Sequence, residues 1–414
     1  MDPEPRELSQ ALNDLRRMSV DASFARALEA KSGIPLLMQG VASGKFRVAE
    51  LGLVLESMCA LLDHLVEGEQ VRELVVQQDF VKQLADLTTR EGDFSLALHC
   101  SLNLLSSLVR ESELTRAIID REVALPNLIS LLASTDHRIQ LAAVGLINSL
   151  LAAATPGRKV DMVRCLQERP ARTPIIDHLL VSAGREGGRG EAMEHQLYLL
   201  QHHMLGQVHA RLHTKIEPQD SAALNKIKEL RATAFDTGSP TIKNNTRYAQ
   251  DHTKLGFDHP KDPSLDFLVT PPGILALDCM DYFAKTRHEQ FMKVVLENSC
   301  RSDNHECPFA ASSIELVRQL SSILAIGQPE EPNCKVFHEM FFKSEHPFEE
   351  FFCYCVVLLN KTWRDMRATR EDFRKVFDVV GEQIRGALHP EKAAERPKTF
   401  EQFRAGVRTW RGVT

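Results

Sequence analysis

No stretch of this chain is apolar for long enough to cross a membrane. The longest apolar run, Phe351 to Leu359, falls far short of the roughly 18 residues that a spanning helix needs, so no transmembrane segment is expected. Positive charge is not in excess: 50 lysines and arginines stand against 56 acidic residues, a net charge of −6. Phosphate backbones are held by clustered cations, so a nucleic-acid partner is not expected. The first residues, MDPEPRELSQ, carry neither a basic region nor an apolar region of the secretory kind, and no signal peptide is read there. Cysteine occurs nine times, an odd number without framework spacing. That pattern fits free thiols in a reducing compartment and leaves the sequons at Asn244 and Asn360 unused. The strings GxSxG, HExxH, GxGxxG and the calcium-loop pattern are absent as well, and nothing composes a nucleophile with its base. The expectation is a cytoplasmic, non-catalytic protein with no catalytic, cofactor-binding or metal residues.

What the chain does have is helix, with almost no strand alternation. A length of 414 residues suggests two or three domains, each able to bury its own core. The first half, about 1–210, is leucine-rich. LALHCSLNLL (Leu96–Leu105) aligns with LAAVGLINSL (Leu141–Leu150) at an offset of 45 residues, pairing Leu96 with Leu141, Leu102 with Ile147 and Asn103 with Asn148. Cys100 or Gly145 supplies a small residue midway in each copy, and a degenerate third copy lies near Leu51–Leu65. Such a period belongs to armadillo and HEAT arrays, whose units bury their apolar faces by stacking on neighbours. Gly92-Asp93 and Thr135-Asp136 are expected to supply N-cap oxygens. A helix is expected from about Glu191 to Lys215, closed by Pro218, and a second over Ser221–Phe235. The polar, turn-rich DTGSPTIKNNT (236–246) reads as a mobile connection. Further helices are expected near 286–300, 312–326, 348–364 and 369–388. In the last, Thr369 and Asp372 form a capping box, and Phe373, Val376, Phe377, Val380, Ile384 and Leu388 form a core-facing stripe.

Several clusters imitate chemistry. GVASGKF at Gly40 resembles a phosphate-binding loop but is one residue short, with Phe46 where a magnesium-binding hydroxyl belongs; GREGGRG (184–190) lacks the lysine-hydroxyl pair. Both read as ordinary loops. His195, His202, His209 and His213 share one face of the expected helix, with His203 beside them, and His209 and His213 have the spacing of a metal pinch. No glutamate sits among them in a zincin pattern, so a polar face is the expectation. Cys300, His305 and Cys307, with Cys334 and His338 downstream, reach the ligand count for zinc, but not the spacing of a known finger. Arg364, Arg367, Arg370 and Arg374 alternate with Asp365, Glu371 and Asp372, as on a solvated, self-paired face. Cys353 and Cys355 lie in an apolar helix as small hydrophobes.

The second half is organised around Leu255–Phe283, LGFDHPKDPSLDFLVTPPGILALDCMDYF. Pro260, Pro263, Pro271 and Pro272 forbid a continuous helix in its first part, and an unbroken apolar run from Ile274 then suits a buried helix. These strings, with VLENS and HECPFA-SSIEL between Val295 and Leu316 and FEEFFCYCVVLLNKTWRDMRATREDF at Phe348–Phe373, resemble the ELMO (engulfment and cell motility) proteins. The resemblance is close over most of 215–389 and looser before it. It implies an all-α fold: an armadillo/HEAT-like repeat region over 1–210, an α-helical ELMO domain over 215–389 and a largely disordered tail over 390–414.

The resemblance also implies a function. ELMO proteins are adaptors that bind Dock-family guanine nucleotide exchange factors; the pair activates the GTPase Rac and drives actin remodelling in engulfment and motility, with recruitment to the plasma membrane through partners. In a sister family with the same domain, an arginine directly after the Asp-Phe dipeptide promotes GTP hydrolysis on Arf-like GTPases, resembling an arginine finger. Here Asp266-Phe267 is followed by Leu268, and no arginine lies between Arg247 and Arg287; a leucine donates nothing to a phosphate. Family members begin with a ubiquitin-like domain and continue into a pleckstrin-homology domain and a proline-rich tail. This chain starts in the repeats, carries PKTFEQFRAGVR (Pro397–Arg408) as the start of that continuation, and ends in TWRGVT. Pro260–Pro263 and Pro329–Pro332 lack the basic flanks of SH3 ligands. The expectation is a shortened form, either an adaptor or a signalling-defective or inhibitory one.

Overall fold

A computed structural model describes residues 5–66, 78–90, 94–110, 112–181, 190–217, 219–235, 251–299, 304–392 and 395–409. Among the described residues there are 21 α-helices and no strand, so the chain is all-α. The connection at 236–246, the glycine-rich loop at 184–189, Pro218, Asp93 and Cys300 lie outside the described residues. The chain divides into two compact units, Met1–His203 with Pro332–Phe337, and Met204–Glu331 with His338–Thr414.

In the first unit, equivalent helices stack as the 45-residue offset requires. The helices Val48–Val66, Ser95–Leu108 and His137–Ala153 pack in succession, which places the degenerate third copy in the same array. Contacts between them repeat at a similar sequence separation. Ser95 Oγ donates to Asp136 Oδ2 at 3.1 Å, and the Ser106 and Ser149 hydroxyls lie 2.7 Å apart. Asn148 Nδ2 donates to the Gln196 carbonyl at 2.9 Å, on the helix Glu191–Gly206. The paired leucines bury: Leu102, Leu105, Ile147 and Leu150 are at most 5% exposed. Asp136 caps its helix by accepting from Arg138 N at 2.9 Å, and the Arg138 guanidinium with that amide holds its carboxyl down to about 2. The string at Gly40 begins in the last turn of the helix Gly33–Ala42, and the Phe46 ring packs so close to Gly40 that a Cβ there would meet it at 2.8 Å.

The second unit is built round the helix Ile274–Thr286, in which nine of thirteen residues are buried. Helices Ser221–Phe235, His288–Ser299, Phe309–Ile323 and Pro347–Asp365 surround it. Two expectations shift here. The helix expected to run to Lys215 stops at Gly206, and a short helix His209–Leu212 follows after a turn. The helix expected from 312 starts at Phe309, because the carbonyls of Leu255 and Gly256 accept from Ala310 N and Ala311 N at 2.8 and 3.1 Å. Those two amides belong to the first turn, whose N–H groups have no partner within the helix.

Thr369 and Asp372 make the capping box, opening with the 3₁₀ turn Arg370–Asp372 and continuing into the helix Phe373–Leu388. Its stripe is core: Val376, Val380 and Ile384 are fully buried. The tail is a correction. Disorder is the sequence expectation over 390–414, but Phe400–Thr409 form a helix. Phe400, Phe403 and Val407 follow at helical spacing and join the core of the second unit. Enough apolar surface is buried there to offset the entropy of ordering the segment.

Candidate functional site

The proline-rich segment before the central helix is held open by its own side chains. Asp266 closes the loop from inside: it accepts from Asp258 N at 2.8 Å and His259 N at 3.1 Å, and the His259 ring nitrogen lies 2.6 Å away. Its side chain is only 2% exposed. Ser264 Oγ donates to Asp262 Oδ1 at the start of the 3₁₀ turn Pro263–Phe267. Phe267 points inward, 1% exposed, against Phe257. The Thr270–Pro271 and Pro271–Pro272 bonds are both cis. Gly273, at φ +52° and ψ −145°, lies so close to the Thr214 carbonyl that no side chain fits, and Ile274 N donates to that carbonyl at 2.8 Å.

With Asp266 and Phe267 turned in, their neighbours form an exposed lip. Leu265 is 40% exposed, Leu268 38% and Val269 60%. Position 268 therefore stands at the surface, and the side chain it presents is apolar. Arg318 on the helix Phe309–Ile323 donates to the Pro271 carbonyl at 3.3 Å and pairs with Glu315; it is a brace for the turn.

Next to the lip, the polar face of the central helix is paired within the unit. Asp278 accepts from Arg211 and from Lys226 at 2.7 Å. Arg287, after the helix, donates to Glu350 at 2.8 Å and lies over the Tyr354 ring at 4.9 Å. Tyr282 also donates to Glu350, at 2.9 Å, and Tyr354 to Glu401 on the last helix, at 2.8 Å. The sequence reading did not single out this network. The Glu350/Tyr354 spacing of four residues, one helical turn, is the signal that pointed to it.

The candidate clusters resolve into structure. His195 donates to the Cys334 carbonyl at 2.8 Å. His203 is buried, and desolvation holds its imidazole down to about 3, the neutral form. The His209 and His213 rings lie 4.5 Å apart, and His213 donates to the His209 carbonyl at 3.1 Å. The helix break at Gly206 parts this pair from the face that carries His195 and His202. His305 donates to the Ala368 carbonyl, its own carbonyl accepts from Trp363 Nε1 at 3.1 Å, and the buried Cys307 thiol lies 3.5 Å from the Ser312 hydroxyl. His338 is buried against Phe341 and His389. Among the described residues no group of three histidines, cysteines or acids is placed to hold a metal ion. Arg364 pairs with Glu297 and Asp365 on an exposed face. Burial pushes the Cys279, Cys353 and Cys355 thiols up, so they are inert apolar groups. Asn360 is buried and donates to Glu297 at 3.0 Å, which closes that sequon to a glycan in the folded protein.

Comparison with known proteins meets this architecture at both ends. The model described as the ELMO/CED-12 family matches residues 206–377, and that described as the ELMO armadillo-like helical domain matches residues 23–180. Engulfment and cell motility protein 1 of Homo sapiens is 37% identical over 415 residues, a match covering 96% of this chain and 55% of that protein. Engulfment and cell motility protein 2 of Bos taurus is 37% identical over 411 residues, and protein 3 of Rattus norvegicus 32% over 405, covering 55% and 54% of those proteins and 96% of this chain in each case. The chain spans about half the length of the relatives it matches.

Proposed function

The chain belongs to the ELMO/CED-12 family, and from that premise we propose that it is a non-catalytic adaptor. It acts with a Dock-family guanine nucleotide exchange factor to promote Rac activation, and through Rac the actin remodelling of apoptotic-cell uptake and motility. It works in the cytoplasm and reaches the plasma membrane through its partners. The repeat region occupies 1–210 and the ELMO domain 215–389. The process is supported by the shared name of the relatives, engulfment and cell motility proteins.

The observation that carries the non-catalytic reading is Leu268. It stands exposed on the lip, two residues after an aspartate whose carboxylate is taken up by the loop's own amides. An activator of hydrolysis needs a cation where charge develops on the transferring phosphate, an effect worth roughly 10³ to 10⁵ in rate. A leucine has none to give. In a single-turnover assay the chain is expected to leave GTP hydrolysis by an Arf-like GTPase at its intrinsic rate. An acceleration of about 1000-fold or more, on the scale of such fingers, would show that another residue supplies the charge and would overturn the reading.

A further inference from the structure

Two thiols meet across the repeat array at a place the proposed function does not use. Cys59 lies on the helix Val48–Val66 and Cys100 on Ser95–Leu108, the next helix of the stack. Cys59 Sγ donates to the Cys100 carbonyl oxygen at 3.5 Å, which brings the two cysteine side chains to the same contact between the helices. Gly52, seven residues before Cys59 and so on the same helical face, lies against Leu96: a Cβ there would meet the Leu96 side chain at 3.1 Å. That missing side chain draws the two helices together on the edge where the cysteines face each other. A disulfide requires α-carbons about 4.4–6.8 Å apart, so the close approach of these two helices is what the cross-link depends on.

The pair is unequal in a useful way. Cys59 is partly exposed and Cys100 buried. The neighbouring Cys59 side chain lowers the Cys100 thiol, against burial, with His99 beside it acting in the same direction. The Cys100 side chain and burial push the Cys59 thiol up, and Asp63 and Glu56, on its own helix, act in the same sense. One sulfur is thus reachable by a small solute, and its neighbour is the more readily ionised of the two.

The geometry points to Cys59 and Cys100 as a redox-sensitive dithiol that a peroxide oxidises to a disulfide between successive repeats. Cys59 loses its proton to solvent, and its Sγ attacks one peroxide oxygen. The O–O bond breaks, and the departing hydroxide takes a proton from solvent. Cys100 Sγ then attacks the Cys59 sulfenic acid; the S–S bond forms, the S–O bond breaks, and the hydroxide leaves as water with the Cys100 proton. Two thiols and one hydrogen peroxide give one disulfide and two waters. Both sulfurs are oxidised and the peroxide is reduced. The bond closes a loop spanning 41 positions, and cross-links of that span restrict the unfolded chain.

The test treats the full chain with a slight excess of hydrogen peroxide, caps remaining thiols with a maleimide, and maps peptides by mass. The expected result is a Cys59–Cys100 cross-linked peptide, two fewer capped thiols, and an unfolding midpoint raised by roughly 5 °C or more. All three revert with a thiol reductant and are lost in Cys59→Ser. The peptide map of the unsubstituted chain decides the matter even if that variant folds poorly. Oxidation that stops at sulfinic acid on Cys59 with Cys100 still capped would overturn the proposal. So would a cross-link to Cys165 or Cys334 instead, or a lowered midpoint on oxidation.

Discussion

Gly256 joins two signature strings that are some fifty residues apart in sequence. Its φ of +80° is a conformation that side chains resist, and a Cβ there would lie 2.5 Å from the Pro308 α-carbon. Its carbonyl, with that of Leu255, caps the helix that HECPFA opens. Gly256→Ala is therefore expected to cost about 3 kcal/mol or more, since a backbone clash adds to the positive-φ penalty. Urea unfolding of the full chain measures this; a loss below 1 kcal/mol or so, the typical effect of a substitution, would mean the two segments part easily. At this scale the sequence says which residues matter more readily than what each does. The Asp-Phe dipeptide was read as the neighbour of a missing arginine. The structure adds that Asp266 has a task of its own, because three contacts to its carboxylate set the turn that exposes Leu268. No spacing rule announces a carboxylate that accepts from amides seven and eight residues back.

Among the elements, those with long, strongly periodic apolar faces were legible. The central helix from Ile274 was read from the end of the proline run, and the stripe from Phe373 to Leu388 from its spacing. Boundaries moved where a distant segment supplied what the local sequence could not, as at Phe309. The last helix was missed for a related reason. Phe400, Phe403 and Val407 make a stripe on only ten residues, and isolated helices that short are marginal in water. What forms it is the surface it meets: Phe403 packs 5.1 Å from Phe351, and Phe400 stacks on Tyr354 at 5.4 Å. Phe403, at 1% exposure, should then matter to the whole second unit. Phe403→Ala is expected to cost about 3–5 kcal/mol, the range for a large aromatic removed from a core, read as a lower unfolding midpoint. A change within 0.5 kcal/mol or so, as at surface positions, would mean that the helix is held loosely.

At the scale of the molecule, the repeat array and the proline-led core are two ways of burying leucine- and phenylalanine-rich helices. Each was visible in the sequence through a different signal: a period in one, an irregular but specific string in the other. The candidate site was legible only in part, because the lip is defined by what stays exposed, and exposure at Leu265, Leu268 and Val269 depends on neighbours turning inward. The two signature regions lie within a chain about half the length of its relatives, so the central claim concerns what these regions do by themselves. Its most direct test is a binding titration of this chain against a full-length Dock-family exchange factor, with a complete engulfment and cell motility protein as the control. The account predicts a saturable complex that speeds nucleotide release from Rac relative to the exchange factor alone. A control that binds while this chain does not would contradict the claim that these regions carry an adaptor surface.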